Sequence, residues 1–203
     1  MLAAYNAARL LFNALTQEPA GFGAAPTDVP VLVYRIWQSE AGAAPVLVTE
    51  ILTKEQVSQF CPHAAEVQGF IDLAAAEWAP LAPTMRPFVL GTNIHMTAKR
   101  RLEAAKLANP VFYGNMFAEV SLDLQEVDDP EDTGVTYGTA GSTRLDVLEL
   151  VSSVMGCVYD YKTGRAGLTT AQIMKIIRVW NNRFPGVPVV ILEMRQNRPV
   201  WSE

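Results

Sequence analysis

The sequence predicts an α/β fold: a small central mixed sheet flanked by helices, preceded by an N-terminal α+β extension. Three observations carry this expectation. Short apolar runs with strand-like alternation, bounded by Gly, Pro or Ser, occupy residues 117–124, 143–151, 156–162 and 187–194. Helical spacing of apolar positions occupies residues 91–107 and 169–182. The order is helix, three strands, helix, strand, which suits a sheet with helices layered on it.

Ahead of these, residues 2–15 read as an amphipathic first helix. They lack a basic leading segment, and Asn6, Arg9 and Asn13 interrupt the apolar run, so a cleavable signal is not expected. Residues 18–30 form a Gly/Pro/Ala-rich linker. The β-rich runs Val31–Trp37 and Val46–Leu52, joined through SEAGAAP, predict a hairpin. Thr53-Lys54-Glu55-Gln56 has capping-box spacing and opens a helix, and an Ala-rich helix follows over Ala64–Trp78. Pro80, Pro83 and Pro87 then punctuate the chain, which places a boundary between an acidic extension, 1–83, and a second domain, 84–203. Within the latter, 128–134 is an acidic turn.

The 203 residues are half hydrophobic and 18% charged, enough for a packed core, and no apolar stretch is long enough to span a bilayer. The net charge of −5 is unevenly spread. Residues 1–83 hold three basic groups against eight acidic ones, whereas residues 84–203 hold thirteen of each. From Gly141 onward there are eight basic and five acidic residues, a mild gathering of positive charge of the kind a phosphate backbone attracts. Two cysteines, Cys61 and Cys157, are a sparse disulfide framework, so reduced, buried thiols and assembly in a cytoplasm are the first expectation, with a single bridge as the alternative.

The segment GSTRLDVLELVSSVMGCVYDYKTGRAG, residues 141–167, carries the chemistry. Alternation along a strand puts Asp160 and Lys162 on one face and Tyr161 on the other. If this run pairs antiparallel with the one before it, Asp146 lies across from them. Two carboxylates and an ammonium at one place suit a hard divalent cation and a phosphate ester, hence a metal-dependent nuclease. The competing reading is a cross-strand ion pair on a solvated sheet face.

A strand-borne Asp, then Asp-x-Lys on the next strand, then a helix, resembles the PD-(D/E)xK nuclease superfamily. Asp146 matches the first acidic position and Asp160 with Lys162 the second motif, while Leu145 stands where the superfamily has Pro. More specifically, YGTAGSTRLDVLEL and VYDYKTGRAGLTTAQI resemble restriction-endonuclease-like toxin domains of bacterial polymorphic toxins and type VI secretion effectors. The resemblance covers roughly residues 88–195. It implies a restriction-endonuclease-like core and hydrolysis of DNA with Mg²⁺ or Mn²⁺. Asp146 and Asp160 would be metal ligands, with the Tyr161 carbonyl as a neutral one. Lys162 would orient the attacking water and offset transition-state charge. Glu119 is implied as a third carboxylate, with Glu103 as its competitor. Gln172 is implied as a site glutamine, although Thr169–Gln172 also spells a capping box. A cognate immunity protein and delivery into a target-cell cytoplasm are implied as well.

Arg144 and Arg165 flank the carboxylates and either hold phosphates or neutralise the acids. Ser142 and Thr163 either contact phosphate or cap local turns. His95 reads as a buried or capping residue or as a general base. His63, beside Cys61, belongs to no zinc site, since two His and two Cys are too scattered for one. The acidic residues 1–83 suit docking to a secretion-apparatus component or to other copies of the chain. Two other readings stand beside the toxin: a nuclease of the same superfamily in DNA repair, phage defence or RNA processing, and a non-catalytic binding domain.

Overall fold

The computed structural model describes residues 31–37, 46–122, 143–152, 155–164 and 166–196. The helix expected over 2–15, the linker, the SEAGAAP connection, the 128–134 turn, and Ser142 and Arg165 lie outside the described residues.

Strands β1 (Val31–Trp37) and β2 (Val46–Leu52) pair antiparallel with Val31 opposite Leu52, the expected hairpin. A short helix α1 (Lys54–Ser58) follows, opened by the full capping box of Thr53 and Gln56. Helix α2 (Ala64–Trp78) and a 3₁₀ segment (Ala79–Thr84) lead to α3 (Pro87–Ala108). That helix begins four residues before the expected start, because Pro87 at its first turn loses no hydrogen bond there. The single-turn α4 (Pro110–Tyr113) precedes β3 (Met116–Leu122), β4 (Thr143–Ser152) and β5 (Met155–Lys162). Helix α5 (Thr170–Arg183) and β6 (Val189–Arg195) complete the described chain.

The six strands form one mixed sheet in the order β2-β1-β6-β5-β4-β3. Only β5 and β6 run parallel, as the crossover through α5 requires; the other neighbours are antiparallel. The boundary expected after residue 83 falls in the 3₁₀ segment. Residues on both sides of it build the same sheet, and Val33, Val67 and Ile71 share a core with Leu90, Ile94, Val147 and Tyr159. This first core lies between the sheet and α2 with α3. A second lies under α5 around Trp180, Leu148, Val158, Ile173 and Ile191. Among the described residues no helix is long and apolar enough to cross a membrane.

Two close approaches fix these layers. A Cβ built on Gly156 would sit 2.1 Å from Trp180 Cη2, so α5 seats its indole directly on β5. The Trp180 Nε1–H donates to the Val187 carbonyl at 2.7 Å, which lets a fully buried indole satisfy its one donor. A Cβ on Gly91 would sit 2.8 Å from Thr163 Oγ1, so α3 comes near the segment leaving β5.

The expectation of two free thiols is corrected: Cys61 and Cys157 form a disulfide, their Cα atoms 6.0 Å apart. A sequence separation of 96 hides the pairing from sequence, and the fold produces it by laying the turn between α1 and α2 over β5. Beside it, buried Glu149 accepts from the Tyr159 hydroxyl and lies 2.6 Å from His63 Nδ1. Burial pushes the Tyr159 phenol up, and the Glu149 charge adds to it. This polar cluster is satisfied internally, which is what a carboxylate in the core requires.

Candidate metal centre

Strand alternation fails at one place in the sheet. Along β3, Met116 and Ala118 face the first core while Val120 and Leu122 face the second. Strict alternation would keep all four on one side, so the facing reverses at Glu119. Its backbone carries a φ of +56°, the one non-glycine residue with positive φ among the described residues. Left-handed backbone costs an ordinary side chain roughly 1–2 kcal/mol and persists where the surroundings impose it. The neighbouring strand reverses too: Leu145 faces the second core and Val147 the first, with Asp146 between them.

On its other side β4 parts from β5. Their pairing runs from Ser152–Met155 to Val147–Tyr159, with a shift between Leu150 and Ser152, and goes no further. Asp146 occupies the gap. Its Oδ2 accepts the backbone N–H of Tyr161 at 2.7 Å, and its Oδ1 lies 3.2 Å from Nδ1 of His95, which α3 supplies. The ring of Tyr161 stands edge-on to that of His95 at 5.6 Å, on the α3 face of the sheet.

Donor atoms of His95, Glu119 and Asp146 all lie within 4.8 Å of one another. They come from a helix and two strands, so the cluster exists only in the folded chain. Glu119 Oε2 is 3.0 Å from Arg144 Nε. Asp160 is ion-paired with Lys162 on the opposite face of β5 from Tyr161, the facing that alternation predicts. Asp160 belongs to the same electrostatic site. Burial and then the charge of Asp146 push its carboxyl up to about 6, against the pull of Lys162. Burial also raises Glu119, with Asp146 adding to it and Arg144 opposing. For His95 burial works against the imidazolium, yet the hydrogen bond and charge of Asp146, with Glu119 and Asp160 behind, leave its pKa raised. The pKa values of Asp160, Glu119 and His95 are thus all raised, the mark of buried acids whose negative charges face one another.

The donor set suits a divalent cation: two carboxylates and an imidazole converge. An orphaned polar atom lies in the same region. The Tyr161 hydroxyl is buried, the residue only 3% exposed, and it has no hydrogen-bond partner among the described residues, while its ring packs edge-on against that of His95.

The candidate residues fall in different places. Asp146 and Glu119 converge with His95, Arg144 pairs with Glu119, and Asp160 pairs with Lys162 on the face of β5 opposite Tyr161. Gln172 instead closes the capping box of α5: its Oε1 accepts from the Thr169 N–H at 2.9 Å, and it is exposed. Glu103 pairs with Lys99 along α3. Thr163 sits against Gly91, and Tyr161 contributes its N–H to Asp146. The residue with an underread role is His95. A signal for it existed: it adjoins the buried stripe Gly91, Ile94, Ala98 and Leu102 on α3, the face turned to the sheet.

No family model, curated protein or solved structure matches this chain.

Proposed function

We propose that this chain is a metal-dependent nuclease of the PD-(D/E)xK type, built on a restriction-endonuclease-like core of α3, β3–β5, α5 and β6. The observation that carries the reading is the convergence of the His95, Glu119 and Asp146 donor atoms within 4.8 Å of one another, next to the strand that bears the Asp160–Lys162 pair. Asp146, Glu119 and His95, with Asp160 beside them, would hold Mg²⁺ or Mn²⁺. A divalent ion there supplies charge relief on the phosphoryl oxygens and acidifies water. The chain's own groups do the rest. Lys162 directs its ammonium at the attacking water and offsets charge that builds on the phosphoryl group. Arg144, partly exposed next to Glu119, takes an adjacent backbone phosphate. Asp160, its carboxyl pushed up to about 6, would lose its proton at lower pH with a cation bound nearby.

The substrate is DNA, and the biological role is an antibacterial toxin neutralised by an immunity protein and delivered by a secretion apparatus. The Cys61–Cys157 bridge supports export, since disulfides persist where the surroundings are oxidising. A nuclease of the same type in repair, phage defence or RNA processing would share this chemistry and differ in toxicity.

Purified protein incubated with plasmid DNA and Mg²⁺ or Mn²⁺ tests the reading. Cleavage is expected, and Asp160→Asn or Lys162→Ala should abolish it while leaving the circular dichroism spectrum intact. Cleavage surviving both substitutions sinks the site. Killing of a host that expresses the chain alone, and rescue by a small neighbouring gene, tests the toxin role.

A further inference from the structure

We infer that His95 is a metal ligand, and that its nitrogen makes the site select a first-row transition ion of the Mn²⁺ class over Mg²⁺. The inference rests on the proposed reading that the site holds a divalent cation on His95 and the acids, and goes beyond it by naming which class of ion the imidazole selects.

The geometry comes first. In an octahedral site with bonds near 2.1 Å, adjacent ligand atoms stand about 3.0 Å apart and opposite ones about 4.2 Å. The His95 Nδ1 to Asp146 Oδ1 separation of 3.2 Å has the size of an adjacent edge. All three donors fall within 4.8 Å of one another, close to the span of opposite ligands in such a site. The surroundings leave lone pairs over. Asp146 gives only Oδ2 to the Tyr161 N–H, and Glu119 meets Arg144 through Oε2. The buried Tyr161 hydroxyl has no hydrogen-bond partner among the described residues, and its ring lies edge-on to that of His95 at 5.6 Å. A water on a bound cation would satisfy it. The donors are built in, too: a left-handed Glu119 and an imidazole adjoining the buried stripe of α3 bring their donor atoms together.

The choice of ion follows from the nitrogen. Mg²⁺ is small, holds its waters tightly and prefers oxygen ligands, so it gains little from replacing water with imidazole. Transition ions gain more from nitrogen, increasingly along the series from Mn²⁺ to Cu²⁺. A carboxylate-only centre separates the two classes weakly. One that includes His95 separates them further.

The test uses the full chain with Mn²⁺ and Mg²⁺ as probes. Calorimetric titration of wild type and His95→Gln is expected to show Mn²⁺ affinity falling at least tenfold in the variant, with Mg²⁺ affinity changing less than threefold. A pulsed electron paramagnetic resonance spectrum of Mn²⁺ on the wild-type protein should carry modulation from a directly bonded ¹⁴N. That measurement needs no variant and therefore survives any folding defect in His95→Gln. An unchanged Mn²⁺ to Mg²⁺ ratio in a folded variant, or no ¹⁴N modulation, overturns the inference and leaves His95 as a hydrogen-bond partner of Asp146. Nitrogen-coupled Mn²⁺ on a protein that cuts no nucleic acid keeps the ligand and removes the nuclease. Cleavage with His95-independent ion preference does the reverse.

Discussion

The carboxylate of Asp146 accepts the backbone N–H of Tyr161, a group that strand pairing would otherwise hold. A side chain has replaced a rung of the ladder at the point where β4 and β5 part, so the acid is held by backbone and aimed by it. Asp146→Asn keeps an acceptor oxygen for that N–H and should cost stability about 1 kcal/mol or less, while ending cleavage. Asp146→Ala leaves a buried donor unpaired and should cost about 1–3 kcal/mol. Urea melts of the two variants, run beside plasmid assays, separate the structural role from the chemical one.

The metal-free protein should lose stability as pH rises from about 4 to 8. Asp160 titrates at about 6 in the fold, above its ordinary 3.8. Its contribution is therefore fully present below the unfolded value and lost as pH passes through about 6. Its size is on the order of 3 kcal/mol at most. His95 has the same sign, its folded pKa lying above 6.5. Thermal melts in chelator across this range should show the decline, and Asp160→Asn should flatten its lower half. Saturating Mn²⁺ should reverse the trend, because the cation binds the deprotonated ligands.

Reduction of Cys61–Cys157 should destabilise the chain by about 4–5 kcal/mol on chain-entropy grounds, since the bridge closes a loop of 96 residues. Melting temperature with and without reductant measures it. Cys61→Ala/Cys157→Ala should then respond to neither condition.

Gly156→Ala should be severely destabilising, about 3 kcal/mol or more, because the added methyl meets the Trp180 ring at 2.1–2.4 Å. The cost falls on the second core and spares the candidate site. Loss of cooperative unfolding in the variant, relieved by pairing it with Trp180→Leu, is the expected result.

A chain beginning at residue 84 should fail to fold. It lacks β1 and β2, which leaves β6 as an open edge, and it lacks Val67 and Ile71 from α2 over the first core. A soluble, cooperative truncated protein would instead restore the idea of a dispensable extension and allow its docking role to be tested in isolation.

The sequence by itself determined the elements and much of their facing. Alternation put Asp160 and Lys162 together away from Tyr161, and both capping boxes marked their helices, because these signals depend on neighbours within a turn or a pleat. Tertiary structure alone decided the rest. The reversal at Glu119 breaks the periodicity from which facing is read. His95 joins Asp146 across 51 positions, Cys61 joins Cys157 across 96, and β1 joins β6 across a longer span still, Leu32 opposite Glu193. Local propensity carries no trace of such pairings; they arise when the apolar faces of α2, α3 and α5 close on the sheet and bring remote polar groups to one point.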